Sequence, residues 1–167
     1  MPRLNIGCWT HILPGWVNAD IIPMGNGVVQ MDASKPWPWE DNTFDQIWAS
    51  HIAEHVLDKM HFIREMYRVS KPGALIQLRI PPHTWSEFWR DPTHRSCWNE
   101  HSFDHFLVGN PDHKPPYLEG VFIEFALIRF DRSCESEYHW WLKVRKKDVE
   151  DGYLPEVADH PELVLPY

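Results

Sequence analysis

From Phe44 to Ile80 the chain reads FDQIWASHIAEHVLDKMHFIREMYRVSKPGALIQLRI, and this stretch decides the fold. Phe44 to Ala49 is a short β-forming run rich in aromatic and branched residues. After it, Ile52, Val56, Met60, Ile63, Met66, Tyr67 and Val69 recur close to a 3.6-residue period, which predicts an amphipathic helix. Lys71-Pro72-Gly73 cannot continue a helix and marks its end. Ala74 to Ile80 then reads as a central strand, stopped by Pro81-Pro82. A helix set between two strands points to an α/β sheet.

Upstream, Arg3 to Gly7, Val17 to Ile21 and Val28 to Met31 are three further β-type runs. Parallel strands usually need crossovers of a dozen or more residues. The segments here are short and carry Pro14-Gly15, Gly25-Asn26-Gly27 and Pro36-Trp37-Pro38, which leaves little room for helices. If these strands are parallel, loops and tryptophans must cover one face. Downstream, His83 to Pro116 is irregular and rich in His, Trp and Pro, with a short helix expected near Ser102 to Leu107. Val121 to Phe130 and Glu137 to Val144 alternate as an antiparallel pair. The expected fold is α/β: a mostly parallel sheet with an antiparallel C-terminal strand pair and reduced helices in the N-terminal half. The expected domain covers 1–145, and 146–167 form an acidic, proline-spaced tail.

The chain's 167 residues, 43% of them hydrophobic, suit one domain of ordinary size. Fifteen prolines and ten tryptophans argue for many irregular connections and against a plain helical bundle. Sixteen basic against 24 acidic residues give a formal charge of -8, a poor endowment for a groove that tracks phosphates, so nucleic acid is not the expected partner. No apolar run approaches the length that spans a bilayer, so no membrane partner is expected either. The first residues, Met1 to Ile6, lack the pattern of a signal peptide. Cys8, Cys97 and Cys134 are an odd number without a C-x-x-C pair; reduced thiols in a cytoplasmic protein are the expectation.

Several motifs in order carry a family resemblance from Leu4 to about Phe106. Leu4-Asn5-Ile6-Gly7-Cys8 looks like a first strand with its glycine turn, and Pro14 to Ile21 like a second strand ending in an acid. Met31-Asp32-Ala33, Trp37 to Ile47, Ser50 to Val56 and Arg64 to Gly73 follow in sequence. Together they resemble the class I S-adenosylmethionine-dependent methyltransferases in their small, Rossmann-like form. The resemblance implies S-adenosylmethionine as cofactor and a binding set of Gly7, Cys8, Trp9, Asp20, Ile21, Asp32, Ala33, Ser50 and His51. In it Asp20 takes the ribose hydroxyls, two hydrogen bonds that a single carboxylate accepts well. A glycine ending the first strand lets the backbone approach the cofactor. Substrate-contacting elements fall after the fifth strand, where Asp91-Pro92-Thr93-His94-Arg95 lies; His94, His55 and Asp91 are the catalytic candidates.

The family's first motif normally continues G-x-G, and Trp9 stands at its second glycine. Its indole can swing out, stack on the cofactor, or fill the pocket and abolish binding. The chain also lacks the Asn/Asp-Pro-Pro-aromatic motif of amino-methylating enzymes, since Ile80-Pro81-Pro82-His83 has no side-chain acceptor. The expected acceptor is a small polar molecule or saccharide, and a homo-oligomer is left open. The alternatives are a methyltransferase-like binding or assembly module without catalysis, and a zinc hydrolase. The latter rests on His51-Ile52-Ala53-Glu54-His55, which spells H-x-x-E-H. The helix begins near there, however, so His51 can equally belong to the strand-end turn. His101 and His105, with His94 and Asp91 nearby, are a second metal-type spacing, but eleven histidines make such pairs common by chance, and no metal is expected.

Overall fold

The computed structural model describes residues 1–112, 122–134 and 137–146. Seven strands form one sheet: β1 (Arg3–Ile6), β2 (Val17–Asp20), β3 (Val29–Gln30), β4 (Phe44–Ser50), β5 (Ser70–Ile80), β6 (Glu124–Cys134) and β7 (Glu137–Arg145). Their order is β3-β2-β1-β4-β5-β7-β6. The first five strands run parallel, and β7 lies antiparallel between β5 and β6. This is the mostly parallel α/β sheet with an antiparallel C-terminal pair that the sequence implies. Among the described residues, no helix is long and apolar enough to cross a membrane.

Helix α1 covers Lys59–Val69, shorter than the periodic run that starts at Ile52. Asp58 caps it, its carboxylate accepting the His61 N–H at 2.9 Å, and this fixes the start. Ahead of the cap, Ala53–His55 make a single 3-10 turn. Strand β5 begins directly at Ser70, because Lys71-Pro72-Gly73 bulges out of the ladder: Phe44 pairs with Ser70 and Gln46 with Leu75. A second helix, α2 (Ser86–Arg90), is too short to leave a periodic signal. Asp104–Phe106 form a 3-10 turn within the expected helix. Val121, the expected start of the sixth strand, and 147–167 of the expected tail lie outside the described residues.

Side chains alternate across a strand, so the register sorts them by face. Leu4, Ala19, Ile47, Ala49, Ile76, Leu78 and Leu142 fall on one face, and all are buried. Phe62, Ile63 and Met66 of α1 belong to the same core. The opposite face carries Asn5, Asn18, Trp48, Gln77 and Trp141 in register. Its rings stack in place of helix packing: His139 lies 3.6 Å from Trp141 and 5.8 Å from Trp48, and the Arg129 guanidinium sits 4.9 Å over Trp141.

Loops do what crossover helices do elsewhere. Trp37 packs edge-on against Phe62 of α1 at 5.7 Å, and Trp39 against Phe44 at 5.2 Å. Glu65 accepts the Trp37 N–H at 2.6 Å, and Arg68 donates to Glu65 and to the carbonyls of Trp37 and Trp39. Burial alone would raise the Glu65 carboxyl; Arg68 and the Trp37 amide outweigh it and hold the group below the usual range. On the polar face, Asn5 donates to Asn18 at 2.8 Å and to the His11 carbonyl at 2.8 Å. Asn18 accepts the Leu13 N–H and donates to the carbonyls of Leu13 and Trp16. These two buried amides pin the loop between β1 and β2 to the sheet.

Asn18→Ala strips partners from the Leu13 amide and the Asn5 side chain at once, both inside the protein. It is expected to lower unfolding stability by about 2–4 kcal/mol, read from urea denaturation. A loss within about 0.5 kcal/mol, the range of ordinary surface changes, overturns this account of the loop.

Candidate functional site

In an open parallel sheet, ligands bind beyond the carboxyl ends of the strands where the order reverses. Here that point lies between β1 and β4. A cleft of about 500 Å³ opens there, walled by Ile6 and Gly7 after β1, Asp20 and Ile21 after β2, and 31–34 after β3. Residues 55–58, with Ile52 and Arg95, close its other side. Gly7 has φ +70°, and a Cβ at that position would sit 2.6 Å from Ile52 Cβ, so only glycine fits. Asp20 is buried and clamps two loops: Oδ2 accepts the Trp9 N–H at 2.8 Å and Oδ1 the Ile22 N–H at 3.0 Å. Trp9 holds a glycine-like φ of 44°, yet its side chain is 55% exposed and it is not among the cleft-wall residues.

Asp32 stands across from this clamp. Its Oδ1 accepts from the Ser34 hydroxyl and amide at 2.6 and 2.8 Å, and these bonds hold the carboxyl below its usual range. Ile6, Ile21, Met31, Ala33, Val56 and Leu57 supply apolar wall between the acids. Two carboxylates, Asp20 and Asp32, with apolar wall beside them suit a ligand with paired hydroxyls and a flat ring. Of the sequence-derived binding set, Gly7, Asp20, Ile21, Asp32 and Ala33 border the cleft, whereas Cys8, Trp9, Ser50 and His51 do not. Cys8 is buried, and burial followed by the nearby Asp20 charge pushes its thiol up. Sequence reading passed over Ile6, Met31, Ser34, Ile52, Val56, Leu57, Asp58 and Arg95. The cap preference of Asp before a helical run was the one signal that could have singled out Asp58.

His51 ends β4 with φ 53°, in the turn and not on a helix, so His51 and His55 do not share a helix face. Its ring reaches away to the C-terminal pair: Nε2 lies 2.9 Å from Glu137 Oε1, and Nδ1 3.5 Å from Glu54 Oε1. Arg79 holds the other oxygen of Glu137. The hydrogen bond to Glu137, then the Glu54 carboxylate 3.5 Å away, raise the His51 imidazole to about 9. Glu137 is held at about 2 by His51 first and Arg79 after it.

The catalytic candidates are brought together at His55, which borders the cleft. The Arg95 and Ser96 amides donate to the Glu54 carbonyl at 2.7 and 3.0 Å, and Ser96 Oγ donates to the Ala53 carbonyl at 3.0 Å. This docks 91–96 onto the 3-10 turn. The rings of His55 and His94 then lie 4.9 Å apart, although only His55 borders the cleft. His94 Nδ1 donates to the Phe88 carbonyl at 2.8 Å, and Asp91 Oδ2 lies 3.7 Å from His94 Nε2. Thr93, through its hydroxyl and amide, keeps the exposed Asp91 carboxyl below its usual range. His101 pairs with Asp104 at 2.9 Å and His105 with the Asp112 carbonyl at 3.0 Å, so the second metal-type spacing is spent on local contacts. Of the irregular segment's aromatics, Trp98 is core and Trp89 is 66% exposed.

Residues 17–78 match the sequence family described as a methyltransferase domain. Over 46 residues the chain is 54% identical to norajmaline N-methyltransferase of Rauvolfia serpentina, a match covering 28% of this chain and 16% of that enzyme. Over 39 residues it is 44% identical to the chloroplastic tocopherol O-methyltransferase of Arabidopsis thaliana, covering 23% of this chain and 11% of that enzyme. The chain thus matches only a small part of the length of these curated relatives. In fold it is similar to a SAM-dependent methyltransferase from Aquifex aeolicus, with a TM-score of 0.56 and 16% identity over 86% of this chain and 82% of that one. The sheet order and the position of the cleft define a Rossmann-like α/β domain. Residues 17–78, at the centre of that fold, are similar to a methyltransferase domain.

The His51–Glu137 pair gives stability a pH dependence with two limbs. His51 binds its proton more tightly folded than unfolded, so its contribution is complete below about pH 6.5 and is lost as pH rises through about 9. Glu137 contributes fully above about pH 4.5, and loses that contribution as pH falls through about 2. His139, pushed down to about 4 by burial, titrates outside the upper window. The His51 side chain is 44% exposed, and after solvent screening the upper limb is worth about 1 kcal/mol. His51→Asn, which tolerates the positive φ, is expected to flatten the fall in melting temperature between pH 7 and 9.5. An unchanged fall in that variant removes the pair from the account.

Proposed function

We propose that this protein transfers a methyl group from S-adenosylmethionine to a small polar molecule or saccharide. The observation that carries the reading is the Gly7–Asp20 corner: a side-chain-free backbone turn beside a fixed carboxylate, at the switch point of a parallel sheet. Gly7, Asp20, Ile21, Asp32 and Ala33 would hold the nucleoside part, with hydroxyls on the acids and the ring against apolar wall. When bound, the cofactor supplies an electrophilic methyl group on a sulfonium, open to in-line attack. The protein's part is to hold two reactants in line and keep water out, which can lower such a barrier by roughly 7–11 kcal/mol. His55, His94 and Asp91 form the acceptor side, where a hydroxyl would be oriented and its proton removed. The acidic balance of 24 to 16 charged residues supports a small acceptor over a polyanion. Residues 1–145 are taken as the working domain.

Calorimetric titration with S-adenosylhomocysteine tests this directly, and one saturable site is expected. Asp20→Ala is expected to weaken that site at least about tenfold through lost hydrogen bonds to a charged group. Trp9→Gly is expected to leave affinity within about twofold and to raise stability by about 1 kcal/mol, since glycine occupies φ 44° without strain. Absence of S-adenosylhomocysteine binding to the folded protein sinks the proposal.

A further inference from the structure

Glu54 is fully buried, and neither of its carboxylate oxygens receives a hydrogen bond. A buried carboxylate in that state is costly unless a cation compensates it. The cationic group that faces it is His51, whose Nδ1 stands 3.5 Å off Oε1 and whose Nε2 is already bonded to Glu137. On its own turn Glu54 is followed by His55, and the docked 91–96 segment delivers His94. Glu54, His55 and His94 each offer a ligand atom, and the three atoms lie within 4.8 Å of one another.

Both rings are oriented as metal-binding imidazoles usually are, with one nitrogen tied to a second group. His94 Nδ1 donates to the Phe88 carbonyl at 2.8 Å. His55 Nδ1 faces the Thr93 carbonyl at 3.3 Å and the Thr93 hydroxyl at 3.0 Å. Nε2 is therefore the ligand atom on each ring, with Asp91 Oδ2 3.7 Å from that of His94. Two imidazoles and one carboxylate form a nitrogen and oxygen set that suits a borderline divalent cation and keeps coordination positions open. We propose that Glu54, His55 and His94 bind one divalent transition cation of the zinc type at the edge of the cleft. The site is built differently from the H-x-x-E-H reading, because His94 takes the place assigned there to His51. His55 also borders the cleft, so an oxygen donor in the cleft can complete the cation's shell. That role, holding the acceptor's oxygen and replacing proton removal by the two imidazoles, rests on the methyl-transfer reading; the binding of the cation does not.

The test uses the full chain, stripped with a chelator and titrated with Zn²⁺ by calorimetry and with Co²⁺ by visible absorption. One equivalent is expected to bind, with Co²⁺ giving the absorption of a low-coordinate nitrogen and oxygen site. Glu54→Gln and His94→Ala are each expected to weaken binding by at least about tenfold while circular dichroism stays unchanged. His101→Ala, on the surface pair with Asp104, is expected to leave it intact. The proposal is overturned by the lack of any site tighter than roughly millimolar. It is equally overturned by a one-equivalent site that persists unchanged in both the Glu54 and His94 variants. S-adenosylhomocysteine binding is measured on the stripped protein, so the two readings succeed or fail separately.

Discussion

The structure depends on the alternation of side chains along five parallel strands. A doubly covered parallel sheet is built from strands that are apolar on both faces. Here β1, β4 and β5 are apolar on one face only, where α1 packs, and the other face carries Asn5, Trp48 and Gln77 in a row. A helix would find little to bury against that row. Amides that bond one another and aromatic rings stacked with histidine and arginine satisfy it instead. The short early connections follow from the same constraint, since a loop held by Asn18 needs no crossover helix to stay in place.

The cleft inherits its rigidity from this arrangement. On one side, Asp20 ties the loops after β1 and β2 together through two backbone amides. On the other, the carbonyl of Glu54 receives the amides of Arg95 and Ser96, which joins a distant segment to the turn after β4. The antiparallel pair is also part of the frame, because Glu137 at the start of β7 holds both His51 and Arg79. The candidate site is therefore fixed by backbone amides that bond the Asp20 carboxylate on one side and the Glu54 carbonyl on the other, and by the ion pairs of Glu137.

The strands and the long helix α1 were legible because periodicity and Lys71-Pro72-Gly73 are local signals. The grouping of Gly7, Asp20 and Asp32 was implied by the family resemblance, and all three border the cleft. The start of α1 was misread because Ile52 and Val56 extend its apolar period across the Asp58 cap. Helix α2 spans Ser86–Arg90, too few residues for any period to show. The meeting of His55 with His94 was invisible, because it is made by backbone amides bonding a carbonyl and no residue type advertises that. His51 bonds a partner 86 residues away, a distance over which sequence spacing carries no information. Trp9 misled in the other direction: what position 9 contributes is an N–H aimed at Asp20, and tryptophan supplies one as glycine would.

Gly7 and Ile52 share one volume. The space a side chain at position 7 would need is already filled by Ile52, whose Cβ lies 2.6 Å from where that chain would begin. Bulk at this corner is therefore contributed once, by the loop after β4, and withheld by the loop after β1. The apolar surface the cleft shows there belongs to a neighbour in space that is remote in sequence. Position 7 is therefore held to glycine twice over, by its φ of +70° and by the neighbour packed against it. A glycine motif at the end of a first strand thus carries a second condition, on the size of a residue more than forty positions later.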